Sequence, residues 1–119
     1  MFMVSSVSYF DFIHRYKDAP KEVNYLANLH RHLLNIETTV EVFNTDREIE
    51  FYMMKDKIDA ALKKHKFDEN ASCEDVCVFV MNVVTEAYGV HRYRKVKVQE
   101  DNNGFATLIK EANEEWEYG

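Results

Sequence analysis

Three histidines in the first third of the chain have the spacing of a metal site. His30 and His32 form a His-x-His pair at the head of an alternating, β-branched segment. In a strand, residues i and i+2 share one face, so the two imidazoles would project together, about 6.5–7 Å apart at the backbone. Two imidazoles with this spacing can bind one tetrahedral metal ion, and His14 is the candidate for a third ligand. Surface histidines without a metal are the alternative interpretation of the pair.

The pattern of apolar residues predicts the elements that would position these histidines. Strands alternate between two faces, whereas helices repeat their apolar residues every three or four positions. In chain order, the predicted elements are strands 2–14, 29–43 and 48–53, helices 54–65 and 72–88, and strands 91–100 and 105–109. A loop with a short helical turn around Glu22–Ala27 joins the first two strands, and residues 110–119 form an acidic tail.

Local signals support the second half of this assignment. Ser72 with Asp75 three positions later is a variant of the capping box, and Gly89 is a natural helix stop. The run Asp101–Gly104 predicts a tight turn. Strands in hairpins with two adjacent helices indicate an α+β domain, in which an antiparallel four-stranded sheet buries one face under the two helices. The other face of the sheet needs water, a partner or a ligand.

Composition restricts the classes of function and location. A length of 119 residues predicts one domain, 1–119. A net charge of −6 argues against binding along a nucleic-acid backbone. No apolar run approaches the ~20 residues of a membrane span, and the N-terminus shows no secretory signal. Cys73 and Cys77 lie four apart in a predicted helix, where a disulfide would cross-link little, so we expect a cytoplasmic protein.

Five segments, in this order, resemble motifs of the 6-pyruvoyltetrahydropterin synthase / 6-carboxytetrahydropterin synthase family. The resemblance covers residues from about 7 to 109. The segments are Phe10-Asp11-Phe12-Ile13-His14 (Phe-x-Ala-x-His in the family), Leu29-His30-Arg31-His32 (His-Gly-His), Ile49-Glu50-Phe51-Tyr52-Met53-Met54-Lys55 (a strand-to-helix segment), Ala71-Ser72-Cys73-Glu74-Asp75 (a Pro-Thr-Ser-Glu-Asn helix cap) and Val96-Lys97-Val98-Gln99-Glu100 (Val-x-Val-x-Glu-Thr).

The resemblance implies a fold, a cofactor and a ligand. The fold would be the tunnelling fold (T-fold), in which subunits join their sheets into a barrel, here as a homohexamer of two stacked trimers with active sites between subunits. His14, His30 and His32 would bind a catalytic zinc ion. Glu100 matches the glutamate that anchors the pterin ring. The implied activity is that of a zinc-dependent lyase acting on dihydroneopterin triphosphate or a related pterin, in a pterin or queuosine/7-deazaguanine pathway.

The chain departs from the family pattern at the groups that transfer protons. Leu26 occupies the position of the catalytic cysteine, four residues before His30. The Asp-His dyad of the family is matched by Lys64-His65, so His65 is the candidate catalytic histidine and the aspartate is lost. Without the resemblance, His65 is interpreted as a solvated residue at a helix end, and Glu100 as a solvated strand end.

The sequence therefore leaves three functions open. The first is the zinc-dependent lyase. The second is a catalytically degenerate relative that binds or sequesters a pterin, a purine or a nucleotide without converting it. The third is an oligomeric α+β domain in which the histidines are incidental.

Overall fold

One antiparallel sheet and two α-helices form the fold of residues 1–115, the part of the chain that this computed structural model describes. The four strands lie in the sheet in chain order: β1 (Phe2–His14), β2 (His30–Val42), β3 (Arg94–Glu100) and β4 (Gly104–Lys110). The helices are α1 (Phe51–Lys64) and α2 (Cys73–Tyr88), and a 3₁₀ turn at Lys21–Ala27 joins β1 to β2. The predicted α+β class and four-stranded antiparallel sheet are confirmed.

Both helices cover the same face of the sheet. Alternation along the strands sends the even-numbered residues of β2 and β3 to this face, as the period of two requires. α1 and α2 each add an apolar stripe at three- and four-residue steps. The centre of the resulting core consists of fully buried side chains, among them Leu34, Ile36, Val40, Met54, Ile58, Val76, Val80, Val84, Val96 and Val98.

The opposite face of the sheet is exposed and carries several apolar side chains. They are Val7, Tyr9, Ile13, Leu33, Phe105 and Ile109. β1 and β4 form the two edges of the sheet, and each pairs with only one strand within residues 1–115. None of the helices in this part of the chain combines the length and the apolar character needed to cross a membrane.

The predicted strand at 48–53 is wrong, because α1 already begins at Phe51. Glu50 is the N-cap residue, and its carboxylate accepts a hydrogen bond from the backbone N–H of Tyr52 at 2.7 Å. The three consecutive side chains Phe51–Met53 are all exposed, which fits the outer side of a first helical turn and not the alternation of a half-buried strand. Phe51 and Tyr52 are aromatic residues, which are enriched in strands, so residue type alone favours a strand here.

The other boundaries differ from the prediction by a few residues. β3 begins at Arg94 and not at residue 91, β4 extends one residue beyond 105–109 at each end, and α1 ends at Lys64. Lys110, assigned to the tail, is the last residue of β4. Of the predicted tail, residues 116–119 lie outside the described residues.

The start of α2 borders the histidine cluster and is held by the predicted capping box. The backbone N–H of Asp75 donates to the Ser72 hydroxyl at 3.1 Å, and the backbone N–H of Ser72 donates to the Asp75 carboxylate at 2.9 Å. Gly89 ends the helix with φ of 97°, a left-handed conformation that favours glycine.

We expect Ser72→Ala to lower the free energy of unfolding by about 1 kcal/mol, because the Asp75 N–H loses its side-chain acceptor. Urea unfolding followed by circular dichroism measures the change. Asn82→Ala, on the exposed side of the same helix, is the control and should change stability by less than about 0.5 kcal/mol. Equal losses in both variants would contradict the assigned cap.

Candidate metal centre

The three histidines meet where β1 ends and β2 begins. His14, the last residue of β1, lies directly opposite His30, the first residue of β2. His32 lies opposite Phe12, on the same face. The ring centroids are 4.5 Å apart for His14 and His30, 4.7 Å for His30 and His32, and 5.4 Å for His14 and His32. Each ring offers a ligand nitrogen within 4.8 Å of the other two, so the cluster could hold one metal ion.

Backbone carbonyl groups orient two of the rings. Nδ1 of His14 lies 2.8 Å from the carbonyl oxygen of Ala71, just before α2. Nδ1 of His30 lies 2.8 Å from the carbonyl oxygen of Asn28. A carbonyl oxygen only accepts hydrogen bonds, so Nδ1 must carry the proton in both rings. In the neutral ring this leaves Nε2 with a free lone pair, which is the form that binds a metal ion.

A carboxylate orients the third ring. Nδ1 of His32 is hydrogen-bonded to Oδ2 of Asp101, and Oδ1 of Asp101 accepts from the backbone N–H of Leu33 at 3.1 Å. The bond from His32, followed by the bond from Leu33, lowers the pKa of Asp101. When a carboxylate is hydrogen-bonded to Nδ1 of a histidine that ligates through Nε2, it fixes the tautomer and makes Nε2 more basic. From the sequence, Asp101 was only a turn residue.

Two of the three Nε2 atoms in the cluster are buried without a hydrogen-bond partner among the described residues. They are Nε2 of His14 and Nε2 of His32. His14 is only 9% exposed. Buried polar atoms in folded proteins nearly always have a partner, and a metal ion would provide it for both nitrogens. The donor set therefore fits a metal ion such as zinc.

Glu100 and Cys73 lie beside the cluster. The Glu100 carboxylate approaches Nε2 of His14 to 3.2 Å and Nε2 of His32 to 3.7 Å. The Cys73 thiol donates to Oε1 of Glu100 at 3.4 Å. Burial and, after it, the negative charge of Glu100 raise the pKa of Cys73 to about 12. Cys73 is thus a thiol and not a thiolate at neutral pH. From the sequence, Cys73 was only one of two cysteines that lie four apart in a predicted helix.

An open cleft of about 470 Å³ borders the cluster. Its walls include His14, His30, Glu100, Cys73 and Leu26. The position that the resemblance assigns to a catalytic cysteine therefore does face the cleft, although it carries an apolar side chain. The remaining lining residues are Arg15, Tyr16, Asn70, Ala71, Ser72, Glu74 and Asp75.

His65 lies in a different cleft of the chain. Its ring stacks on Phe79 with a centroid distance of 4.2 Å and meets Phe67 edge-on at 4.5 Å. Asn70, Ala71 and Asp75 line both clefts. Within residues 1–115, His65 does not join the cluster of His14, His30 and His32, so its catalytic role stays a prediction.

No protein-family model matches the chain, and no curated protein matches it.

We expect Asp101→Asn to weaken zinc binding about 10–100-fold, because a neutral amide supports the His32 imidazole less well than a carboxylate. Competition with a chromophoric chelator measures the affinity. Asp11→Asn makes the same substitution at an exposed site that pairs with Arg31, and it should leave the affinity unchanged. Identical losses in the two variants would mean that overall charge, and not the bond to His32, is responsible.

Cys73 in the metal-free protein should react with iodoacetamide at pH 8 about 10²–10³-fold more slowly than an ordinary thiol. The reason is its pKa of about 12, which leaves very little thiolate. The rate is followed by mass spectrometry of the Cys73 peptide, and the same peptide in urea-unfolded protein is the control. Alkylation at the unfolded rate in the folded protein would contradict the assignment.

Proposed function

We propose that the protein is a zinc-dependent lyase of the 6-pyruvoyltetrahydropterin synthase type, acting on dihydroneopterin triphosphate or a related pterin. The observation that carries the proposal is the histidine cluster, in which three imidazoles are each fixed by an acceptor on Nδ1. His14, His30 and His32 would hold the metal. The adjoining cleft of about 470 Å³ has the size of a small-molecule site.

The residues of the cleft would divide the recognition of the pterin between them. Zinc, when bound, would supply Lewis acidity toward hydroxyl groups of the ligand's side chain. Glu100 would accept two parallel N–H donors from the guanidine-like edge of the pterin, an arrangement that suits a carboxylate. The Cys73 thiol, which donates to Glu100, would hold that carboxylate in place.

The weak point of the proposed chemistry is proton transfer. Leu26 cannot accept a proton, and Cys73 keeps its own. His65 is our candidate for a proton-transfer group, and it would have to reach the cleft of another subunit, because it lies outside the cleft of its own chain. Each general acid or base contributes about 10²–10⁴-fold to a rate, so we expect slow turnover.

We also propose that the chain adopts the T-fold, in which the sheets of six identical subunits join into a barrel. This homohexamer would be a cytoplasmic protein. Two features support this assembly. β1 and β4 each have an edge that pairs with no strand of residues 1–115, and the open face of the sheet carries exposed apolar residues. Light scattering should then give six times the mass of the 14.1 kDa chain. A monomer would count against the resemblance as a whole.

A second candidate function is binding without conversion. Leu26 in the wall of the cleft and the protonated Cys73 favour it, because neither provides a base. Such a protein would sequester a pterin, a purine or a nucleotide through Glu100 and the metal.

One experiment separates the two functions. Zinc-loaded protein is incubated with dihydroneopterin triphosphate, and the pterins are separated by chromatography with fluorescence detection. Slow conversion that is lost on replacing His14, His30 and His32 by Ala supports the lyase. Unchanged substrate together with a raised melting temperature supports binding alone, since a ligand at 100 times its Kd adds about 2.7 kcal/mol. The absence of both conversion and stabilisation would contradict both functions.

A further inference from the structure

We propose that Glu100 is a fourth ligand of the metal in the ligand-free protein, and that it must leave the metal to bind the amino edge of a ligand. Ligation by Glu100 is inferred from contacts alone. Its displacement by a pterin rests on the proposed function. The resemblance implies only the second of these two roles.

Hydrogen-bond acceptors of His14 and His32 face the carboxylate of Glu100. In the neutral His14 ring the proton lies on Nδ1, toward Ala71, so Nε2 presents a lone pair to the Glu100 carboxylate 3.2 Å away. In the neutral His32 ring the proton lies on Nδ1, toward Asp101, so its Nε2 presents a second lone pair at 3.7 Å. Acceptors that face each other in a buried site repel, unless a cation lies between them.

The distances from the Glu100 carboxylate to the two histidine nitrogens match the spacing of two ligands on one zinc ion. Zinc binds histidine nitrogen and carboxylate oxygen at about 2.0–2.2 Å. Two such ligands at the tetrahedral angle are therefore about 3.3–3.6 Å apart. The two contacts of Glu100, at 3.2 and 3.7 Å, bracket this range. Oε1 makes the contact with His14 and Oε2 makes the contact with His32, so a rotation of the Glu100 side chain would bring one oxygen into the fourth position beside all three imidazoles.

Contacts from β2 and α2 support Glu100 in this position. It is the last residue of β3, opposite Leu34 of the neighbouring strand, so it lies on the same face as His32. The Cys73 thiol donates to Oε1 and stabilises the charged carboxylate from the side of α2. The following residue, Asp101, is bonded to His32 itself.

Two consequences follow for the site. Four protein ligands close a zinc site, whereas catalytic sites keep one position open. Both oxygens of Glu100 face the histidines, and both are also needed to accept two parallel N–H donors from a pterin. The two roles are therefore exclusive, and binding of the ligand's amino edge would open the fourth position of the metal.

The test uses Co²⁺ and Zn²⁺ as probes of the full-length protein. Glu100→Gln should weaken the binding of both metals at least about tenfold and change the visible absorption of the Co²⁺ protein. Glu74→Gln removes the same charge from an exposed residue of the same cleft and should change affinity less than about threefold. Glu100→Asp keeps the charge on a shorter side chain, so direct ligation predicts a loss here too. Circular dichroism verifies that each variant is folded.

Neopterin then tests the displacement. Added to the wild-type Co²⁺ protein, it should change the absorption spectrum, whereas with Glu100→Gln the change should be absent. An unaltered metal affinity and Co²⁺ spectrum in Glu100→Gln would overturn ligation and leave the lyase proposal standing. Ligation by Glu100 would also be overturned if Glu74→Gln lost as much metal affinity as Glu100→Gln. A third outcome is that Glu100→Gln loses metal affinity while the zinc-loaded wild-type protein does not convert dihydroneopterin triphosphate. This outcome would support ligation by Glu100 and overturn the lyase proposal.

Discussion

The pairing of β1 with β2 places His14 directly opposite His30, and the whole candidate site depends on this register. Side chains alternate along a strand, so a shift of one residue would send either His14 or the His30–His32 pair to the exposed face. The buried side of each strand prevents that shift, because Phe12, Leu34 and Ile36 belong to the core. The core thus determines where the histidines point.

The second requirement of the site is the tautomer of each ring, and three separate parts of the chain determine it. The carbonyl groups of Ala71 and Asn28 and the carboxylate of Asp101 each occupy one Nδ1 atom. The capped start of α2, the loop before β2 and the turn after β3 therefore all act on the same cluster. Binding of a metal ion would be coupled to folding in such an arrangement, because the unfolded chain has no preformed site.

Local patterns indicated which histidines could share a face, whereas the meeting of His14 with His30 and the surroundings of the cluster depend on tertiary contacts. The i, i+2 spacing of His30 and His32 and the alternation that ends at His14 are properties of single strands. The contact of Cys73 with Glu100 depends on how α2 crosses the sheet, and that of Asp101 with His32 depends on the register of β2 and β3. Arg94 is a comparable case in the fold. It is fully buried and donates to the Thr85 hydroxyl and to several backbone carbonyls, which no charge pattern indicates.

The most direct measurement is the zinc content of protein purified without chelator, determined by mass spectrometry of the metal. The account predicts about one zinc ion per chain in the wild-type protein and none after replacement of His14, His30 and His32 by Ala. Absence of metal from both proteins, or equal amounts in both, would contradict the central claim that these histidines form a metal centre.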